Sequence, residues 1–141
     1  MFKKLLVLLI IASTLGCHKK TQEENSACNP NGVCTTIYAI VTIKFTDKNG
    51  NAMAVQNYSV TNQRTHLKIV NSGSAAIDLI YGSYIVADDS AKSQLSTDGD
   101  DVLISATNPT TGQTKTVTLK ISGGCNCHVN KISGVDVVAF D

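Results

Sequence analysis

Residues 37–45 read Ile-Tyr-Ala-Ile-Val-Thr-Ile-Lys-Phe. Ile37, Ala39, Val41, Ile43 and Phe45 share one parity, and Tyr38, Ile40, Thr42 and Lys44 share the other. Side chains of an extended chain alternate between two faces, so an apolar row of period two predicts a strand with one face in the core. The pattern recurs at Val102, Ile104 and Ala106, at Val117, Leu119 and Ile121, and at Val135, Val137 and Ala139. Shorter strands are expected at Tyr58–Val60, Leu67–Val70, Ile77–Ile80 and Tyr84–Ala87. No segment carries an apolar stripe at helical spacing. Turn chemistry falls between these segments: Asp47-Lys48-Asn49-Gly50, Asn71-Ser72-Gly73, Asp98-Gly99, Asn108-Pro109-Thr110-Thr111-Gly112 and Gly123-Gly124. Seven to nine short strands punctuated this way predict an all-β, antiparallel, Ig-like sandwich.

The N-terminus follows a different rule. Lys3 and Lys4 precede the apolar run Leu5–Ala12, and small uncharged residues lead on to Gly16-Cys17. This is the layout of a secretory signal. The apolar run is too short for a transmembrane helix, which needs about 20 residues. Thr14-Leu15-Gly16-Cys17 resembles the lipobox of bacterial lipoproteins, with Thr14 where an aliphatic residue is usual. The resemblance implies cleavage before Cys17, lipidation of its sulfur and anchoring to the membrane through the acyl chains, which hold firmly when two or more are present. It places the protein in the cell envelope, at the outer membrane, on the periplasmic face or the cell surface. Residues 1–16 are then the signal peptide. Residues 17–27, from the lipidated cysteine through a polar stretch, are a tether. Residues 28–141 are a single domain of ordinary size.

Loss of Lys3 and Lys4 with the signal takes the formal charge from +1 to −1. A balance this close to neutral argues against nucleic acid as a partner. The absence of Trp and the low aromatic content of 5% argue against a stacking platform for bases or sugars. Tyr38, Tyr58, Tyr81 and Tyr84 remain as residues that could line a ligand pocket.

Val41-Thr-Ile-Lys-Phe-Thr-Asp-Lys-Asn-Gly-Asn-Ala-Met-Ala54 resembles the opening of carboxypeptidase-regulatory-like domains, transthyretin-like sandwiches common in Bacteroidetes envelope proteins. In that family the first strand runs into a D-x-x-G-x-P turn; here Ala52 or Met53 stands where Pro is usual. Gly82-Ser83-Tyr84-Ile85-Val86 resembles the later G-x-Y-x-V strand. The implication concerns fold, since sandwiches carry many functions. Hydroxyisourate hydrolases, which resemble the same fold, end in Tyr-Arg-Gly-Ser and use catalytic His and Arg. This chain ends Val-Val-Ala-Phe-Asp and contains a single arginine, Arg64, so that activity is not expected.

With Cys17 lipidated, four cysteines remain: Cys28, Cys34, Cys125 and Cys127. An even number in an oxidising compartment reads first as two disulfides. Cys125 and Cys127 are two residues apart, which in an extended strand strains a direct bridge, so pairing of each with Cys28 or Cys34 is favoured. The alternative is Cys28–Cys34 with a strained, redox-labile Cys125–Cys127. A different reading of the same residues is a soft-ligand metal site at Cys125, Cys127 and His128 for Zn²⁺ or Cu⁺, although the C-x-C spacing is not the usual zinc pattern. No cofactor is otherwise indicated.

Asp88, Asp89, Asp98, Asp100 and Asp101 offer hard oxygen ligands but not in EF-hand order, and read as solvated turns. His66 is expected on a strand. Ser, His and Asp occur without a G-x-S-x-G elbow, and only geometry could assemble a triad from them. The function this implies is a lipid-anchored, non-catalytic binding or assembly module. Its ligand could be protein, peptide or glycan, and an exposed edge strand could accept a partner strand. A metal-binding or redox lipoprotein using Cys125, Cys127 and His128 is the alternative.

Overall fold

A computed structural model of the chain describes Cys28, residues 33–72 and residues 82–141. The signal sequence, Cys17, the tether, Tyr81 and the strand expected at Ile77–Ile80 lie outside these residues.

The described chain is all-β. In order it forms β1 (Ile40–Thr46), β2 (Gln56–Asn62), β3 (Ser83–Asp88), a short 3-10 helix (Asp89–Gln94), β4 (Asp100–Thr107), β5 (Thr114–Ser122), β6 (Asn130–Ser133) and β7 (Val137–Ala139). These seven strands make two sheets, ordered β3-β1-β7 and β2-β4-β5-β6. All pairings are antiparallel except β1–β7, where Lys44, Phe45 and Thr46 run parallel to Val137, Val138 and Ala139.

Period two accounts for the core. Val41, Ile43 and Phe45 of β1 are buried, as are Val102, Ile104 and Ala106 of β4 and Leu119 and Ile121 of β5. Val86 of β3 and Val60 of β2 join them. Phe45 lies at the centre of an aromatic cluster, with ring centroids 6.1 Å from Tyr58, 5.4 Å from Tyr84 and 6.0 Å from Phe140. Tyr58 donates its hydroxyl to the Ile85 carbonyl at 2.9 Å, and the Tyr84 hydroxyl accepts the Val55 N–H at 2.8 Å. Burial, together with the neighbouring Tyr84, pushes the Tyr58 phenol well above its ordinary range. These two tyrosines are half-buried and pack against the core, with each polar tip satisfied inside the sandwich, so their rings and hydroxyls are committed to packing.

Three expectations need correction. Ile37 and Tyr38 are exposed and precede β1, which starts at Ile40. In β7 the buried row is Val138 and Phe140, whereas Val135, Val137 and Ala139 face outward. Apolar residues on both parities left the register undetermined there, and pairing with β1 decided it. The stretch Leu67–Val70 makes only an isolated bridge at Lys68, and His66 sits in the turn before it with φ of 59°. The sequence also gave no signal for β6, which is four residues long and polar.

Gly134 permits the crossover from β6 in one sheet to β7 in the other. Its φ is +111°, and a Cβ there would stand 3.0 Å from both the Leu119 Cα and the Thr118 carbonyl oxygen. Only glycine allows so close a backbone approach in that conformation.

Asp88, also read as a solvated turn residue, is buried and accepts the Ser90 N–H at the start of the 3-10 helix. The same reading of Asp100 is overturned as well. Its carboxylate is buried and takes a two-point contact from Arg64, Nε to Oδ1 at 2.7 Å and Nη2 to Oδ2 at 2.9 Å. Oδ2 further accepts from Asn62 Nδ2 at 2.6 Å and from the Ser96 N–H at 3.0 Å. Burial opposes ionisation, but the hydrogen bonds from Arg64, Ser96 and Asn62 outweigh it and hold the carboxyl down to about 2. Because the folded value lies below the unfolded one, the stability contributed by Asp100 is complete above about pH 4 and is lost as the pH falls toward about 2. This contribution is about 2 kcal/mol. Urea unfolding followed from pH 5 to pH 2 should show it, and Asp100→Asn should flatten the profile by that amount. An unchanged profile in the variant would remove Asp100 from the acid-sensitive set.

Candidate functional site

The residues that the sequence marked as chemically interesting converge at one end of the sandwich. Cys28 bridges Cys125 and Cys34 bridges Cys127, with Cα separations of 4.9 and 5.2 Å. Both separations fall within the roughly 4.4–6.8 Å span of ordinary disulfides. The favoured cross-pairing is therefore the one the structure contains. The bridges clasp the segment before β1 onto the turn between β5 and β6. That turn is held from below: the Cys125 N–H reaches Thr97 Oγ1 at 3.1 Å and Asn126 Nδ2 reaches the Thr97 carbonyl at 2.9 Å.

The metal reading does not assemble. Both sulfurs are committed to disulfides, and a disulfide sulfur is not the thiolate that Zn²⁺ or Cu⁺ requires. Among the described residues no group of three His, Cys, Asp or Glu side chains gathers at one point. His128 faces protein partners instead. Its Nδ1 is 2.7 Å from Asp89 Oδ2 and its Nε2 is 2.8 Å from Thr35 Oγ1.

Asp89 is the hub of this end. Besides His128, its Oδ2 accepts the Ala39 N–H and its Oδ1 the Val129 N–H, each at 2.9 Å. One carboxylate thus ties together the entry to β1, the entry to β6 and the imidazole. Partial burial works against the charge, but the bonds from Ala39, His128 and Val129 win and keep the carboxyl below its ordinary value. Asp89, expected in a solvated turn, is instead mostly enclosed and engaged at both oxygens, and the sequence reading did not single out Thr35. His128 lies 39 residues from Asp89 and 93 from Thr35, so no local spacing could announce the set.

Beside Asp89 an open slot of about 370 Å³ runs along the sandwich edge. It is lined by Ala39–Thr42 on one side and Val129–Lys131 with Asp136 on the other. Its origin lies in strand parity. The Lys44 N–H donates to the Asp136 carbonyl at 2.9 Å, and the Thr46 carbonyl accepts from the Phe140 N–H at 2.8 Å. Even-numbered residues of β1 therefore turn their backbone groups toward β7. By alternation, Ile40 and Thr42 turn theirs the same way. β7 pairs only with Lys44–Thr46, and among the described residues no strand pairs with β1 at Ile40 or Thr42 on that side. Thr42 is exposed. Lys131 and Asp136 form an ion pair at the rim.

Comparison with protein-family models, with curated proteins and with solved structures finds no match to this chain. The functional reading therefore rests on the clasp, the Asp89 hub and the slot.

Digestion without reduction should release peptides joining Cys28 to Cys125 and Cys34 to Cys127, with neither Cys28–Cys34 nor Cys125–Cys127 present. Removing the second bridge through Cys34→Ser with Cys127→Ser should lower the free energy of urea unfolding by about 2–5 kcal/mol, because a long loop in the unfolded chain is released.

Proposed function

We propose that this chain is a lipid-anchored envelope protein whose folded domain is a binding or assembly module. Its partner is a protein that lays an extended segment along β1 in the slot between Ala39–Thr42 and Val129–Lys131. The observation that carries this reading is the backbone of Ile40 and Thr42, which faces an open edge where β7 has not begun. Main-chain donors and acceptors on an unpaired edge are satisfied best by another strand, and alternate side chains of that strand then supply selectivity. A glycan has less to hold it here, since Tyr58 and Tyr84 spend their rings and hydroxyls on the core.

The anchor rests on the sequence: a charged start, an apolar run and Gly16-Cys17. It implies acylation of Cys17 and residence at the outer membrane. Labelled fatty acid should enter the wild-type protein and not the Cys17→Ala variant, and that variant should leave the membrane fraction. Retention of label and of membrane association in the variant would overturn the anchor.

The slot is tested separately in intact cells. A photo-crosslinking residue placed at Lys131 should give a discrete adduct with a second protein. The same residue placed at Thr110, in the distant β4–β5 turn, should not. Equal yields from the two positions, or none from Lys131, would overturn the slot as the binding face.

A further inference from the structure

The hydrogen-bonded row Thr35–His128–Asp89 has an order that the clasp alone does not require. The carboxylate holds Nδ1 of the imidazole, and the hydroxyl meets Nε2. With Asp89 fixed as an ionised acceptor by two backbone N–H groups, the neutral ring keeps its proton on Nδ1. Its Nε2 lone pair then accepts the Thr35 hydroxyl proton. This is the directional arrangement by which a hydroxyl is made nucleophilic: a base within hydrogen-bond reach of the O–H, itself oriented by a third group.

Two further observations suit that role. Cys34 and Cys127 are bonded to each other and are the immediate chain neighbours of Thr35 and His128. The bridge thereby fixes the hydroxyl against the ring across 93 residues of sequence, so little ordering is left for the moment of reaction. In addition, Thr35 is exposed, while the His128 and Asp89 side chains retain only 25% and 16% of their accessible surface. The reacting end is open and the supporting end is enclosed. A hydrogen bond made only for stability gains little at so exposed a position.

We propose that Thr35 is an acyl-accepting nucleophile toward carboxylic esters with a short acyl group, with His128 as its general base and Asp89 as the positioning residue. The methyl group on the threonine Cβ crowds the attacking oxygen and so favours a small acyl group. Thr35 Oγ1 forms a bond to the ester carbonyl carbon as its proton passes to His128 Nε2. The carbon–alkoxy bond then breaks, and the departing alkoxide takes that proton from Nε2 and leaves as the alcohol. Thr35 retains the acyl group as an ester. Water repeats the sequence, giving its proton to Nε2 and releasing the carboxylic acid and the threonine hydroxyl. No redox partner or metal enters the balance. The proposal is independent of the slot and of the anchor.

The experiment uses oxidised protein with p-nitrophenyl acetate as the ester. The rate of nitrophenolate release is followed, and the acetylated residue is located by peptide mass mapping. Wild type quenched with acid within the first turnover, before water can release the acyl group, is expected to carry one acetyl group at Thr35. Thr35→Val should lose that label, and His128→Gln should slow its formation by about 100-fold or more, the usual share of a general base. Cys34→Ser with Cys127→Ser keeps Thr35, His128 and the Cys28–Cys125 bridge, and should also lose the label. Acetyl groups on lysines alone, or an unchanged rate at Thr35 in His128→Gln, would overturn the proposal. A merely structural row would change the melting temperature of these variants without any Thr35 labelling in wild type.

Discussion

The alternation along β1 is the constraint from which the rest of this structure follows. Its odd row, Val41, Ile43 and Phe45, is the inner face of one sheet and meets β4 and β5 across the core. Its even row sets the direction of the backbone groups that recruit β7. Because β7 is three residues long and starts beside Lys44, the same parity that closes the sheet at one end of β1 leaves it open at the other. Core and slot are two results of one period, so a slip of one residue in β1 would abolish both.

A second constraint acts where that open end begins. Asp89 follows directly on β3 and sends its two oxygens to the starts of β1 and β6, which belong to different sheets. The disulfides repeat this connection covalently by joining the segment before β1 to the turn before β6. A small sandwich with a modest core gains most from ties of this kind, which lower the entropy of the unfolded chain and leave the packing alone.

The core was legible wherever apolar residues occupied a single parity, as in β1, β4 and β5. It was not legible at β7, where Val137, Val138, Ala139 and Phe140 offer apolar groups on both faces and only pairing with β1 selects Val138 and Phe140. Polar β6 had no periodic signal, and Asp100 looked like a turn residue because its partners Arg64 and Asn62 lie on another strand and the turn after it. The same limit hid the arrangement around His128. Residue type and local spacing suggested a ligand beside two thiolates, whereas the fold delivered a carboxylate and a hydroxyl from distant segments and spent the sulfurs elsewhere.

The Cys28–Cys125 bridge has a mechanical consequence. A pull applied to the chain ahead of Cys28 passes through the sulfur atoms straight to Cys125, and from there to the C-terminal residue. Everything from Cys28 to Cys125 is enclosed in a covalent ring and cannot be drawn out end to end while that bond holds. Only the chain after Cys125, which carries β6 and β7, lies on the load path. Tension on the molecule would therefore shear β7 from β1 first, lengthening the open edge of β1 and drawing Val138 and Phe140 out of the core, while the strands inside the ring keep their pairing.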